Sequence, residues 1–243
     1  MTVGDARYFF VHIMKTGGAT FRQHIYRNFP AGTVYPVPQV DDMERAWLIA
    51  SVAGLSEARR AELQAYTGHL PFIVVDLLGI EAVTLTMLRD PVDRTVSYLK
   101  HCKRYHEHHR ELALDAIYED EFYFRCFVHN HQSKMFAMRT GDPLESYMDV
   151  IDVDDRRLAF ACTNLERVDA LGLSERQPEF LAELERRFGW HFGQLRNRRV
   201  SDEPWEASAS LRRRIAGDNA ADVELYAHAV RLYERRQRAG VSA

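Results

Sequence analysis

The stretch YFFVHIMKTGGATF, residues 8–21, decides the fold because it leads from a buried strand through a glycine turn into a helix. Residues 8–13 form a short and almost continuous apolar run, typical of a parallel strand that is buried on both faces. Gly17 and Gly18 end this run, and an amphipathic helix is predicted over residues 19–28. The expected inner stripe of that helix is Phe21, Ile25 and Phe29.

The rest of the chain continues this alternation of strands and helices. AVTLTML (82–88) and RLAFACT (157–163) read as further buried strands, and a helix is predicted from Pro91. Other helices are predicted over residues 56–66, with Ser56 as N-cap, and over 178–188, 211–215 and 222–236. The last of these should bury Val223, Tyr226, Val230 and Tyr233. The pattern predicts an α/β fold of three layers, a parallel sheet flanked by helices, in one domain over residues 1–243.

Charge and hydropathy exclude several classes of partner. The 243 residues are 46% hydrophobic and 28% charged, with a net charge of −3 at pH 7, as in an ordinary globular protein. This balance favours neither nucleic acid nor an anionic membrane, so an anion site must be a local cluster. The chain shows no signal peptide and no apolar run long enough to span a bilayer, which predicts a cytoplasmic location.

The three cysteines, Cys102, Cys126 and Cys162, are widely spaced and form no CxxC pair. Such spacing argues against a disulfide framework and against a zinc site built on thiolates. It favours a reducing compartment.

The loop KTGGAT (15–20) has the composition of an anion-binding turn. Between a strand and a helix, its backbone N–H groups and the helix dipole favour a negative charge, and Gly17 and Gly18 allow close approach. Lys15 adds a positive charge, and Thr16 and Thr20 add hydroxyl groups. The loop differs from the nucleotide-binding pattern GxxxxGK(S/T), because its lysine precedes the glycines. The alternative is an ordinary glycine turn with a surface lysine.

A second candidate segment is LRDPVDRTVSYLKH (88–101). Arg89 lies at the carboxyl end of a predicted strand, where open α/β sheets bind ligands, and Ser97 lies about two turns into the next helix. An arginine with a hydroxyl group suits a terminal phosphate. The alternative is a local salt-bridge cluster, with Asp90 and Arg94 paired four residues apart.

These two segments together resemble the sulfotransferases that use 3′-phosphoadenosine-5′-phosphosulfate (PAPS). FVHIMKTGGATF is similar to their 5′-phosphosulfate loop and LRDPVDRTVSYL to their 3′-phosphate motif, in the manner of the carbohydrate sulfotransferases related to heparan sulfate 2-O-sulfotransferase. Weaker similarities lie in TGHLPF (67–72), NHQSKMF (130–136), CTNLERVDALGL (162–173, as a strand and then a helix) and DNAADVELYAHA (218–229). Met14 stands where the family usually has proline, and Ala19 where it often has threonine or serine; neither change removes a charge.

The resemblance implies a P-loop-NTPase-like sulfotransferase fold, PAPS as co-substrate and no metal. It assigns 5′-phosphosulfate binding to Lys15, Thr16, Gly17, Gly18, Ala19, Thr20 and Phe21. It assigns the 3′-phosphate to Arg89 and Ser97, and the basic segment RNRRVS adds the candidates Arg198, Arg199 and Ser201, the alternative being a solvated basic loop. The acceptor is then a hydroxyl group of a sugar, glycolipid or small metabolite, and neither its identity nor the oligomeric state is predicted.

Histidine is the expected general base near neutral pH. His69 follows Gly68 in the segment that resembles the family's catalytic one, so His69 is the predicted base and Lys15 the group that neutralises the leaving oxygen. His12 is expected to be packed in the first strand and His24 to face solvent. The cluster HEHH (106–109) could hold a metal, but a solvated polar segment beside the acceptor site is the favoured interpretation.

Two other functions are compatible with parts of the pattern. A P-loop kinase or nucleotidase with a degenerate phosphate loop is disfavoured by the position of Lys15 and by the absence of a Walker B segment. A catalytically silent adenine-nucleotide-binding protein would keep Arg89 and Ser97 in use but not depend on Lys15 or His69.

Overall fold

The computed structural model describes residues 6–37, 41, 47–193 and 205–241. Its sheet contains five parallel strands in the order β2-β3-β1-β4-β5. The strands are β1 (Tyr8–Val11), β2 (Val34–Tyr35), β3 (Ala65–Gly68), β4 (Val83–Leu88) and β5 (Ala170–Leu173). The first strand therefore lies in the middle of the sheet, between β3 and β4.

Helices connect and cover these strands. They are α1 (Gly18–Asn28), α2 (Ile49–Ala53), α3 (Glu57–Glu62), α4 (Ile73–Leu78), α5 (Pro91–Tyr105), α6 (Leu114–Tyr118), α7 (Glu121–Tyr123), α8 (His131–Ala137), α9 (Asp155–Glu166), α10 (Gln177–Phe188), α11 (Ala209–Asp218) and α12 (Ala220–Val241). Short 3₁₀ helices cover Glu107–His109 and Ser174–Arg176, and a π-helix covers Phe124–Val128. Among the described residues, none of the helices combines the length and the apolar character needed to cross a membrane.

The two faces of the sheet bury different side chains of β1. Tyr8 and Phe10 point into a cluster with α1 and α10, whereas Phe9 and Val11 point into one with α2, α4, α8, α9 and α12. Successive residues of a strand point to opposite faces, so an all-apolar strand requires cover on both. The predicted three-layer parallel α/β fold is confirmed, as is the inner stripe of α1.

A third apolar cluster lies beside the sheet rather than on it. Residues of α5 such as Leu99 pack there with α6, with the π-helix and with Leu211 and Ile215 of α11. The chain between α5 and α9 is irregular, with short α-helices, a 3₁₀ helix and a π-helix.

Two predicted elements are wrong in type. The segment 157–163 belongs to α9, not to a strand: Asp154 caps the helix by accepting from the backbone N–H of Arg157, and Leu158, Ala161 and Leu165 recur at helical spacing on its buried side. The segment 162–173 is accordingly the end of a helix followed by strand β5, the reverse of the expected order. A short apolar run is compatible with a strand or a helix, and here the cap and the packing select the helix.

Two other boundaries also differ. Ser56 is the N-cap of α3 as predicted, but the helix ends at Glu62 and Tyr66 lies in β3. Residues Val34–Tyr35 form the edge strand β2, which is not among the predicted strands.

The buried face of α12 is rotated from the predicted one. Val223 is 42% exposed, while Leu225, Ala229 and Leu232 are buried together with Tyr233. Tyr226 and Val230 lie at the flank, partly buried against the core. Both stripes have helical spacing, so the pattern alone does not choose between them.

Candidate active site

Four loops meet at the carboxyl edge of the sheet. Because β1, β3, β4 and β5 are parallel, the segments that follow them lie on the same side. In the register Val11 is opposite both Gly68 and Thr86, and the Thr86 hydroxyl donates to the Val11 carbonyl at 3.0 Å. This edge therefore brings together the turn after β1, His69 after β3, Arg89 after β4 and Ser174 after β5.

The turn after β1 is held from both sides. The buried Thr16 hydroxyl donates to the Ile13 carbonyl at 2.9 Å, and the Ser174 hydroxyl donates to the Thr16 carbonyl at 2.5 Å. Lys15 has φ 67° and Gly17 has φ 91°, so this turn includes a lysine in the left-handed region that glycine adopts readily. Such a conformation in a non-glycine residue costs stability, and residues of this kind cluster at active and ligand-binding sites.

The N-terminus of α1 has no side-chain cap. Gly17 is its N-cap, and the residues of its first turn, Gly18, Ala19 and Thr20, bring backbone N–H groups and the positive end of the helix dipole to the turn. Phe21 anchors this helix, since its buried ring packs on Phe10, Phe180, Trp190 and Phe192. Phe21 can therefore contact an anion only through its backbone, and the Thr16 hydroxyl is already used within the turn.

Gly18, His12 and His69 pack against one another in that order. A Cβ atom on Gly18 would lie 2.1 Å from Cδ2 of the His12 ring, so only glycine fits there. The His12 ring, buried as predicted, lies 4.3 Å from the His69 ring between centroids. The Nδ1 atom of His69 lies 2.8 Å from the His12 carbonyl oxygen. Because a carbonyl only accepts, Nδ1 must carry the proton, and Nε2 of neutral His69 keeps its lone pair.

Burial keeps both imidazoles neutral. It lowers the pKa of His69 to about 4, against a smaller opposing effect of the hydrogen bond to His12, and it holds the pKa of His12 well below its ordinary value. His24, expected on the solvent side, is also buried, with its ring 5.2 Å from that of Phe192. That prediction was wrong because α1 is covered by the chain around Phe192 as well as by the sheet.

Arg89 connects the segment 88–101 to the loop 15–20. Its Nη1 donates to the Lys15 carbonyl at 3.2 Å, which places the guanidinium beside the glycine turn. The Gln132 side chain brackets the Arg89 backbone, accepting from its N–H at 3.1 Å and donating to its carbonyl at 2.9 Å. Ser97 lies on α5, half-buried, about two turns from that helix's start.

Gln132 is in turn held by the start of α12. The buried Asp222 carboxylate accepts from the backbone N–H groups of Gln132 and Ser133 at 3.1 and 2.7 Å. The Asn130 backbone N–H donates to the Asn219 side chain at 2.8 Å. Sequence reasoning missed this support; the only signals were the NHQSKMF and DNAADVELYAHA similarities, far apart in the chain.

The predicted Asp90–Arg94 pair is not formed. Asp90 caps α5 by accepting from the Asp93 backbone N–H at 3.0 Å, and the fully buried Arg94 donates through Nη2 to the carbonyls of Phe127 and Val128. Arg94 therefore ties α5 to the π-helix. The candidates Arg198, Arg199 and Ser201 lie outside the described residues.

Two further aromatic rings lie close to His69. The Tyr147 ring lies 5.0 Å and the Trp47 ring 6.0 Å from the His69 ring, between centroids. The Phe127 ring continues the row at 6.0 Å from Tyr147. Sequence reasoning did not identify these side chains, which come from separate segments with no motif of their own.

The buried histidines predict an acid-sensitive fold. Burial lowers the pKa of His12, His69 and His131, so these groups stay neutral when folded but bind protons below about pH 6.5 when unfolded. The unfolded chain then holds more protons, and the free energy of unfolding falls by up to about 1.4 kcal/mol per histidine per pH unit from pH 6.5 toward 4. Calorimetry should show Tm on the order of 10 °C lower at pH 5 than at pH 7. An unchanged Tm over that range would contradict neutral burial.

Comparison with known proteins finds relatives that carry a common name. No protein-family profile matches the chain. Heparan-sulfate 6-O-sulfotransferase 3-B of Danio rerio is 27% identical over 96% of this chain and 65% of its own length. Heparan-sulfate 6-O-sulfotransferase 2 of Homo sapiens is 25% identical over 96% of this chain and 45% of its length. Heparan-sulfate 6-O-sulfotransferase 3 of Homo sapiens is 27% identical over 93% and 57%.

The resemblance to carbohydrate sulfotransferases is confirmed, with the 6-O rather than the 2-O enzymes as the relatives found. Together with the parallel sheet, it supports the predicted sulfotransferase type of α/β fold. The chain spans about half to two thirds of the length of these relatives.

Proposed function

We propose that this protein is a PAPS-dependent sulfotransferase that moves a sulfuryl group from PAPS to a sugar hydroxyl group. The observation that carries the proposal is the meeting of three groups at one sheet edge: the Lys15 turn, Arg89 bonded to that turn, and His69. The relatives named as heparan-sulfate 6-O-sulfotransferases support the same reaction class.

The cofactor is assigned to the turn after β1 and to the start of α5. The uncapped amides of Gly18, Ala19 and Thr20, with Lys15, suit the 5′-phosphosulfate. Arg89 and Ser97 are assigned to the 3′-phosphate, because a guanidinium and a hydroxyl group both donate to phosphate oxygens. Gln132 acts through Arg89 and is a positioning residue.

Transfer needs one proton acceptor and one group that stabilises the leaving charge. Nε2 of His69 takes the proton of the acceptor hydroxyl while the acceptor oxygen forms a bond to sulfur. The bond from sulfur to the bridging phosphate oxygen breaks, and 3′-phosphoadenosine 5′-phosphate leaves with that electron pair. Lys15 stabilises the charge on the leaving oxygen. Burial lowers the pKa of His69 in the free protein. The negative charge of the bound cofactor raises this pKa toward neutrality, which makes Nε2 a stronger base.

The acceptor side suits a carbohydrate. Trp47 and Tyr147 lie beside His69, and Phe127 lies beside Tyr147; the apolar face of a sugar can stack on such rings. The relatives' names make a 6-hydroxyl group of a hexose unit the first candidate.

Calorimetry with 3′-phosphoadenosine 5′-phosphate and with ATP tests the cofactor assignment. The wild type should prefer the former, and Arg89→Ala should weaken its binding by roughly 10- to 100-fold, because a charge-assisted hydrogen bond is worth about 1.5–3 kcal/mol. Arg213→Ala, which removes an exposed arginine of α11, is the matched control and should bind like the wild type. Equal or tighter binding of ATP, or full affinity in Arg89→Ala, would overturn the proposal.

A further inference from the structure

Three histidines gather at the end of α5, and none of them is among the residues assigned to the cofactor or to proton transfer. His106 ends that helix, and His108 and His109 lie on the 3₁₀ helix Glu107–His109. One potential ligand atom from each of them can be chosen so that all three lie within 4.8 Å of one another. The favoured interpretation from sequence, a solvated polar segment, does not hold for all of them, because His109 is only 1% exposed.

His109 is the unusual member. Its two ring nitrogens are buried and neither makes a hydrogen bond; the nearest charged oxygen, Oδ2 of Asp120, lies 3.6 Å from Nε2. A buried polar atom without a partner costs about 1–3 kcal/mol. A bound cation would satisfy one of these nitrogens. A small rotation of the His109 ring would bring the other nitrogen into hydrogen-bond distance of Asp120.

Two side chains beside the histidines can engage the ring nitrogens that do not bind the metal. Nδ1 of His106 lies 2.8 Å from the Tyr123 hydroxyl, which leaves Nε2 of His106 available. Asp120 caps α7 by accepting from the Tyr123 backbone N–H at 3.2 Å, so the carboxylate beside His109 is fixed. Metal-binding histidines commonly engage their second ring nitrogen with a carboxylate or hydroxyl group in this way.

The protonation state suits a ligand. Burial, followed by the neighbouring His108, lowers the pKa of both His106 and His109. Neutral imidazoles present lone pairs at pH 7, and imidazole is a preferred ligand of zinc, copper and nickel. His108 is exposed and can rotate to close the distances toward the ~3.4 Å between ligand atoms that tetrahedral zinc requires.

We propose that His106, His108 and His109 bind one divalent transition-metal ion of the Zn²⁺ class, with the fourth position open to water. The ligands lie at the end of α5 and on the adjoining 3₁₀ helix, and Asp120 and Tyr123 connect two of them to α7. From there, rings lead toward the candidate active site: Tyr123 lies 5.8 Å from Phe127, and Phe127 lies 6.0 Å from Tyr147 beside His69. The ion is assigned a structural role, which is to hold the segment that carries Tyr123 in place. It takes no part in sulfuryl transfer.

The test is titration of tag-free protein with Zn²⁺ and with Co²⁺. We expect one equivalent to bind with a Kd of about 1 µM or lower, a rise in Tm that a chelator reverses, and Co²⁺ absorption typical of a tetrahedral site. His108→Ala should weaken binding by at least about 100-fold, and Tyr123→Phe by about 10-fold. The exposed His108 side chain contacts the rings of His106, His109 and Tyr123, so its loss should leave the apolar core around α5 intact.

His191→Ala is the matched control, since His191 is exposed and far along the chain from the cluster. It should bind Zn²⁺ like the wild type. Stoichiometric binding that His108→Ala leaves unchanged would overturn the proposal. So would wild-type binding no tighter than about 100 µM, which is about 100-fold weaker than expected. Neither measurement depends on sulfotransferase activity, so the site stands or falls separately from the proposed function.

Discussion

Lys15→Gly is expected to lower kcat for sulfuryl transfer by about 10²- to 10³-fold, the usual loss when one group that stabilises developing charge is removed. The substitution removes the ammonium group and suits the backbone conformation of the turn. With φ 67°, Lys15 adopts a backbone conformation that costs a non-glycine residue about 1 kcal/mol and that glycine adopts freely. Glycine loses more chain entropy on folding, so the two effects offset and Tm should change by a few degrees at most.

The measurement is release of 3′-phosphoadenosine 5′-phosphate from PAPS, with radiolabelled sulfate followed onto a panel of mono- and oligosaccharides. Lys15→Arg is the companion variant: it keeps the charge but replaces a compact ammonium by a planar guanidinium, so activity between the two extremes is expected. A stable Lys15→Gly protein that keeps more than about a third of the parental kcat would show that the lysine does not stabilise the leaving group.

His69→Asn is expected to lower kcat by about 10²- to 10⁴-fold, the usual contribution of a general base. Asparagine offers an amide N–H near the position of Nδ1, so it can keep the hydrogen bond to the His12 carbonyl while it removes Nε2. The variant therefore separates proton acceptance from positioning. Binding of 3′-phosphoadenosine 5′-phosphate should stay within a few-fold of the parent, because Arg89 and the Lys15 turn are untouched.

His69→Ala removes both nitrogens and serves as the comparison. If Nε2 is the base, His69→Asn and His69→Ala should be about equally inactive. If instead His69→Asn retains near-parental kcat while His69→Ala loses it, the side chain acts only by holding the His12 carbonyl, and the base is another group. His191→Ala, an exposed histidine, controls for loss of a histidine as such.

The central part of the fold could be predicted because its signals are local. An all-apolar run followed by two glycines specifies a buried strand, a tight turn and a helix within fourteen residues, and β1 and α1 follow that order. The same holds for Pro91 at the first turn of α5 and for Gly189, with φ 68°, at the end of α10. In each case one residue type has a backbone property that the local structure requires.

Predictions failed where two structures share one pattern. Residues 157–163 form a short apolar run that fits a strand or a helix, and the Asp154 cap with the apolar positions Leu158, Ala161 and Leu165 places it on the buried face of α9. The helix α12 has two apolar stripes at helical spacing, one with Val223 and one with Leu225. Packing against the core buries the stripe with Leu225. His24 is polar but buried, since the residues around Phe192, distant in the chain, cover it. Which face is covered is a property of the whole molecule.

The sequence by itself determined the turn that bears Lys15, the placement of Arg89 after a strand, and the α/β class, because glycine geometry, proline and apolar periodicity act over a few residues. The tertiary structure alone decided that Arg89 bonds to the Lys15 carbonyl, that Asp222 holds Gln132 against Arg89, and that His109 lies buried. These contacts join segments as far as 90 residues apart in the chain. They form because parallel strands bring their carboxyl ends to one edge, and no local pattern encodes which distant partner arrives there.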